Sequence, residues 1–273
     1  MIYSICMYNG PKAERSALKG RDFMIQTCEG VVIRTTSYGE SNKIIVIYSR
    51  EFGKLGMMAR GAKKPNSRFS AASQLFIHAT FTFYQGSGLG TLRHGDMMTS
   101  FRNIREDIFK TAYASYIVEL LDKATEEKKA NPYLFELLMQ TLTYIDKDYD
   151  CEIVTNIFEM KMLPVFGLYP VMNECAICAN KEGRFAFSIR ENGLLCHRCF
   201  AKDPYHLPLS QSAIKLLRLF YYFDIHRLGS ISVKPETKRE LRNAINLYYD
   251  EFSGLRLKSK RFLEQMDRLN DMM

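Results

Sequence analysis

Two cysteine pairs constrain this chain more than any other feature. They run Cys175-x2-Cys178, then 17 residues, then Cys196-x2-Cys199. Each pair presents two thiolates from one tight turn, and a gap of this length lets the two turns face each other across one ion. The segment 171–204 is therefore predicted to be an inserted module organised by structural Zn2+ on Cys175, Cys178, Cys196 and Cys199. Four thiolates close a tetrahedral shell and leave no open place for a reactive water. His197 lies inside the second pair and is expected to be a bystander. A redox Cys-x2-Cys is the competing reading, but two pairs at this spacing favour the metal. A zinc deaminase would need His-x-Glu ahead of its cysteines, and no His-x-Glu occurs here.

The remaining cysteines, Cys6, Cys28 and Cys151, follow no pattern. Seven cysteines in 273 residues do not make a disulfide scaffold, and this usage suits a reducing cytoplasm. There is no apolar run long enough for a membrane helix, and Met1–Gly10 lacks the basic start of a signal peptide. Residues 1–23 are polar and unpatterned and are expected to be a flexible extension.

From Met24 the hydrophobic pattern predicts strands. Cys28–Thr36, Lys43–Ser49, Lys54–Arg60, Gln74–Tyr84 and Thr91–Phe101 are short, β-rich runs separated by Gly-containing turns. In the fourth, Leu75, Ile77, Ala79, Phe81 and Phe83 fall on one face and are expected to be core. Phe76 and Tyr84 fall on the other and are candidates for stacking on bases. Gly86-Ser-Gly-Leu-Gly90 precedes a β run, so it reads as a hairpin loop rather than a dinucleotide cradle. Five strands over 24–104 fit a small barrel of the OB type. From 105 to 273 the period becomes helical, with helices expected over Asp107–Lys123, Pro132–Ile145, Glu152–Phe166, Gln211–His226, Glu236–Phe252 and about Lys260–Arg268. The fold class is α+β: a five-stranded OB barrel, then a helical domain with the zinc insertion. Leu216, Leu217, Leu219, Phe220, Tyr222 and Phe223 suggest that the fourth of these helices is buried all round.

Charge separates the same regions. Residues 24–105 hold 11 Lys/Arg against 4 Asp/Glu, residues 106–174 hold 6 against 13, and residues 175–273 hold 17 against 11. The basic head is densest in Arg60-Gly-Ala-Lys63-Lys64-Pro-Asn-Ser-Arg68, which has no acid and whose Gly and Pro keep it irregular. Such a loop can follow a phosphate backbone, with Ser67 and free backbone N–H groups adding hydrogen bonds. Arg34, Lys43, Arg50 and Lys54 on neighbouring strands would extend the surface. The C-terminal Gly254–Leu263 run, basic and apolar together, suits an acidic peptide with a hydrophobic end or more phosphate; a surface helix start is the plainer reading. No catalytic constellation emerges among five dispersed histidines, so no enzymatic activity is expected.

Several segments together resemble the RecO family of bacterial DNA-repair and recombination mediators. They are Glu29-Gly-Val-Val-Ile-Arg34 with Tyr38-Gly-Glu-Ser-Asn-Lys43, Gly53-Lys54 with Ala59-Arg-Gly-Ala-Lys-Lys64 and Ser67-Arg68, Asn131-Pro-Tyr-Leu-Phe135, Met160-Lys-Met-Leu163 with Gly167-Leu-Tyr-Pro170, the two cysteine pairs, and Leu257-Lys-Ser-Lys-Arg-Phe-Leu263. The match looks closest to Bacillus-like forms. The resemblance implies an OB fold, a helical domain and a zinc insertion in a non-enzymatic protein. It implies binding of single- and double-stranded DNA, and together with the basic loop this makes Lys63, Lys64 and Arg68, with Arg34, Lys43 and Arg60, the expected phosphate contacts. It also implies annealing of strands coated by single-strand-binding protein, contact with that protein's acidic C-terminal tail, and loading of RecA together with RecR. The expected location is cytoplasmic, at the nucleoid. A zinc-ribbon/OB factor acting on RNA is the alternative; a zinc enzyme conflicts with a closed shell of four cysteines.

Overall fold

The computed structural model describes residues 24–270 except Ser87 and Ser230, with side chains up to 266; the extension expected over 1–23 lies outside the described residues. The chain divides into two compact units, one ending at Ser100 and the other beginning at Phe101.

The first unit is a closed five-stranded barrel of β1 (Met24–Tyr38), β2 (Asn42–Ser49), β3 (Gly53–Ala59), β4 (His78–Gln85) and β5 (Gly90–Thr99), ordered β1-β2-β3-β5-β4. Closure depends on the length of β1. Its first half pairs with β4, from Met24↔Gln85 to Val31↔His78, and its second with β2, from Gly30↔Ser49 to Tyr38↔Asn42. A bulge between Val32 and Arg34 bends the strand between its two partners. A short parallel contact, Met57↔Gly90 and Met58↔Thr91, shuts the cylinder. Alternation then fills the interior: Ile45, Ile47, Met57, Ala79, Phe81 and Phe83 are fully buried. Phe81 and Phe83 are core, as the pattern predicts.

Two local readings need correction. The fourth strand begins at His78 rather than Gln74, because Phe76 takes φ 65 and breaks the extended run. Its N–H donates to Val32 O while Val32 N–H donates to Ile77 O, both at 2.9 Å, so this turn closes onto the bulge in β1. Phe76 is 2% exposed, which removes it as a stacking platform. The fifth strand stops at Thr99; Phe101 enters the left-handed region (φ 44) and precedes a short helix, α1 (Arg102–Glu106), which strand propensity alone did not suggest.

The second unit packs α2 (Ile108–Ala124), α3 (Pro132–Asp146), α4 (Cys151–Met162), α5 (Gln211–Tyr222), α6 (Pro235–Phe252) and α7 (Lys258–Asn270). Their starts are set by local chemistry. Asp107, Asn131, Asp150 and Ser210 accept hydrogen bonds from the first free N–H groups of α2, α3, α4 and α5. The helix expected over Glu152–Phe166 is α4 followed by a 3-10 turn, Leu163–Phe166, that ends at Gly167 with φ 73. The one expected to His226 stops at Tyr222, and another 3-10 turn spans Ile225–Arg227. The central element is α4, which touches α2, α3, α5 and α6 and buries Ile153, Val154, Ile157, Phe158 and Met160. By contrast α5 buries only the stripe Ala213, Ile214, Leu217 and Phe220, leaving Leu219 45% and Tyr222 60% exposed. Apolar content does not distinguish these helices; only the number of packed neighbours does.

The C-terminal basic run serves packing first. Glu119 of α2 accepts from Lys258 N–H at 3.1 Å, Ser259 N–H at 2.8 Å and the Ser259 hydroxyl, seating a carboxylate at the positive end of α7. Lys260 pairs with Asp250 at 2.9 Å. These contacts support the surface-helix reading of this run.

One buried acid gives the unit a pH signature. Glu159 on α4 is 5% exposed. Burial pushes its carboxyl from 4.5 up to about 7, against the hydrogen bond from Tyr116 OH and the nearby Lys260 and Arg242. The raised value means that the folded state keeps the proton longer than the unfolded one. The stabilisation is complete below about pH 4.5 and is lost as pH rises through about 7, an upper limit of about 3 kcal/mol. Glu159→Gln should remove this dependence. The gap in melting temperature between wild type and variant should narrow or invert from pH 5 to pH 8; a gap independent of pH would contradict the assignment.

Candidate metal centre and nucleic-acid interface

The four patterned cysteines converge in space although 17 residues separate the pairs. Cys175 and Cys178 lie on a turn after α4, Cys196 ends β7 (Gly193–Cys196) and Cys199 follows one turn later. β7 pairs antiparallel with β6 (Phe185–Ser188), matching Phe185 with Cys196. The first turn is fastened to this hairpin by Ala176 N–H to Leu194 O, at 2.7 Å. Val171 lies alongside through Val171 N–H to Asn192 O and Leu194 N–H to Val171 O, both at 2.9 Å. That approach requires glycine at 193, where a Cβ would lie 2.5 Å from Val171 O.

The result is four Sγ atoms all within 4.8 Å of one another, with Cys178 and Cys196 at 3.6 Å. Zinc–sulfur bonds of about 2.3 Å at tetrahedral angles put sulfurs about 3.8 Å apart, so the donor set fits one such ion. Burial raises the Cys175 thiol, but hydrogen bonds from the backbone N–H groups of Cys196, Cys178 and Ile177 outweigh it and hold its pKa at about 6. Burial and the neighbouring thiols push Cys199 the other way, up to about 12, so the backbone favours a thiolate at Cys175 and not at all four positions. His197 is exposed and outside the donor group; its N–H donates to Arg184 O at 2.9 Å.

On the barrel, the basic loop is anchored rather than loose. Ala62 and Phe69 enter the core, 2% and 6% exposed, and hold Arg60, Lys63, Lys64 and Arg68 outside. Turns use much of its backbone: Lys63 N–H bonds Ser41 O, Lys64 N–H bonds Gly61 O and Ser67 N–H bonds Lys64 O. The expected supply of free N–H groups is correspondingly reduced, and Ser67 Oγ already accepts from Phe69 N–H at 3.2 Å.

Arg60, Lys64 and Arg68 line an open cleft of about 460 Å³ whose far wall is Thr91, Leu92 and Arg93 of β5. Four cations and no acid face it. The guanidinium of Arg68 lies over Phe69, and that of Arg93 over Tyr84 at 4.9 Å from the ring centre. Lys63 is exposed but sits off the cleft, its ammonium donating to Gly39 O at 3.3 Å. Arg34 is exposed opposite Val46, and half-buried Lys43 pairs with Ala59 at the root of the loop; neither lines the cleft. Arg50 is committed to Glu29 at 2.9 Å. Arg93 is the cleft residue the sequence reading missed. Its signal was present, since Leu92 inward places Arg93 outward on a strand, but only the fold brings β5 to the loop.

In the helical unit, Tyr133, Glu136, Lys161, Tyr222, Phe223 and Asp224 line a separate pocket of about 290 Å³. No helix among the described residues is long and apolar enough to cross a membrane.

Residues 24–101 match the family model for the Recombination protein O N terminal, and residues 105–261 that for the Recombination protein O C terminal. The chain is 56% identical over 250 residues to the DNA repair protein RecO of Bacillus subtilis (strain 168), covering 92% of this chain and 98% of the relative. It is 57% identical over 249 residues to the DNA repair protein RecO of Listeria innocua serovar 6a, covering 91% and 98% respectively.

Proposed function

Because the chain belongs to the RecO family, we propose that it is a DNA-binding recombination mediator in DNA repair. It anneals complementary strands coated by single-strand-binding protein and, with RecR, helps to load RecA, acting in the cytoplasm at the nucleoid. The observation that carries the DNA-binding part is the acid-free cleft between the anchored loop and β5. Its opening suits a flexible polyanion, and separate cations along a groove attract phosphates without regard to sequence. Arg60, Lys64 and Arg68, with Lys63, Arg34 and Lys43 at the margins, neutralise the backbone. Repulsion between two strands then falls, their local concentration rises, and base pairing supplies the specificity.

The zinc is structural. Cys175, Cys178, Cys196 and Cys199 hold it, and when bound it supplies cross-linking of the two turns rather than reactive water. Contact with the acidic tail of single-strand-binding protein rests on the family reading alone, because Glu136 and Asp224 line the pocket of Tyr133 and Phe223 beside Lys161 and do not favour an acidic peptide there.

The deciding experiment is annealing of two complementary oligonucleotides, each coated with cognate single-strand-binding protein, without nucleotide. Faster duplex formation in the presence of the protein is expected. No acceleration, with tight binding to RNA, would replace this reading by that of an RNA factor.

A further inference from the structure

The zinc hairpin carries a cationic surface of its own. Phe185 pairs with Cys196, so Arg184 and His197 stand side by side at the end where the metal ligands gather. The chain before Arg184 turns back under the imidazole: Gly183 sits at φ +93, and a Cβ there would lie 3.1 Å from His197 Cε1 and Nδ1. Lys181, Arg184, Arg198 and Lys202 are all exposed. Among the described residues, only Lys181 of these four has an ion-pair partner, Glu174 at 3.8 Å. Behind them Arg218 of α5 lies 4.3 Å from the centre of the Phe185 ring. Its Nε and Nη2 are buried without a hydrogen-bond partner among the described residues.

The plainest role for these cations is to offset the thiolates. A zinc ion with four thiolates carries a net charge of −2. The four exposed cations offset Glu174, Glu182 and that charge, and the guanidinium of Arg218 adds a buried positive charge behind them, so this end of the hairpin carries no net negative charge to repel a polyanion. Unpaired guanidinium groups on a rigid hairpin are suited to phosphate oxygens.

We propose that this end of the zinc hairpin, through Arg184, Arg198 and Lys202, is a second contact for the phosphate backbone of DNA, a proposal that rests on the reading of the protein as a DNA binder. A chain with phosphate contacts on both of its units can hold two strands at once, which one cleft does not.

The test is Arg184→Glu/Arg198→Glu in the full chain, with Arg184→Gln/Arg198→Gln as a milder pair in case the first misfolds. Three quantities are read: zinc per chain, the salt dependence of binding to a single-stranded oligonucleotide, and the annealing rate. Zinc should be retained. The salt slope should fall by about 1.4, from about 0.7 per lost contact on single strands, and annealing should slow roughly tenfold. A folded, zinc-replete variant with the wild-type slope overturns the proposal. The slope can be read whether or not the wild-type chain anneals DNA, so failure of the annealing reading leaves this test intact.

Discussion

Cys196→Ser should give a protein that no longer retains zinc and that unfolds around its hairpin. The expected loss of stability is on the order of 5 kcal/mol, because metal affinity in a closed thiolate site is largely folding free energy. Cys196 is fully buried, ends β7 and pairs with Phe185. A serine hydroxyl there is a poor zinc ligand and would be left beside three thiols without the ion that gathers them. Loss of the ion removes the link between the two turns, and the small β6–β7 sheet has too few pairs to stand alone. Chelator treatment of the wild type should lower the melting temperature similarly. The barrel has its own core, so its cleft should still bind single strands, and the affinity lost should not exceed that of the Arg184→Glu/Arg198→Glu variant, well short of the loss of stability. A variant with wild-type stability and no DNA binding would reverse the structural assignment of the metal and make the centre itself, rather than the cations around it, the DNA contact.

Replacing Lys63, Lys64 and Arg68 together with Ala should weaken binding to single-stranded DNA roughly 100-fold at physiological salt, taking about 1 kcal/mol per contact. The slope of log affinity against log salt should fall by about 2, at about 0.7 per phosphate contact. Folding should survive, because the residues that anchor the loop, Ala62 and Phe69, are untouched. The cleft predicts an order within the triple variant. Lys64 and Arg68 line it, whereas Lys63 is tied to Gly39 O, so the first two should account for most of the loss. Arg93→Ala should add to it, since that side chain forms the opposite wall. An unchanged salt slope in the triple variant would remove the loop from the DNA path.

Much of the architecture was legible from local pattern. Strand alternation identified Phe81 and Phe83 as core, and Pro132 marked the start of α3. Misreadings arose where distant residues decide. Phe76 alternates correctly for an outward side chain, yet its backbone folds to meet Val32, and the ring goes inward. Likewise α5 looks as apolar as a central helix but has fewer neighbours than α4.

The chain's sequence by itself determined the metal ligands, the basic loop and the β-then-α order. Each is a matter of residue type at short spacing: thiolates two apart, cations in an acid-free run, apolar period two giving way to helical period. Tertiary structure alone decided how these parts are used. Closure of the barrel places Arg93 across from Arg68, hairpin pairing sets Arg184 beside His197, and packing against four helices buries Glu159 deeply enough to raise its pKa. Those are relations between residues far apart in the chain, set by which surfaces exclude water together, and no short window of sequence contains them.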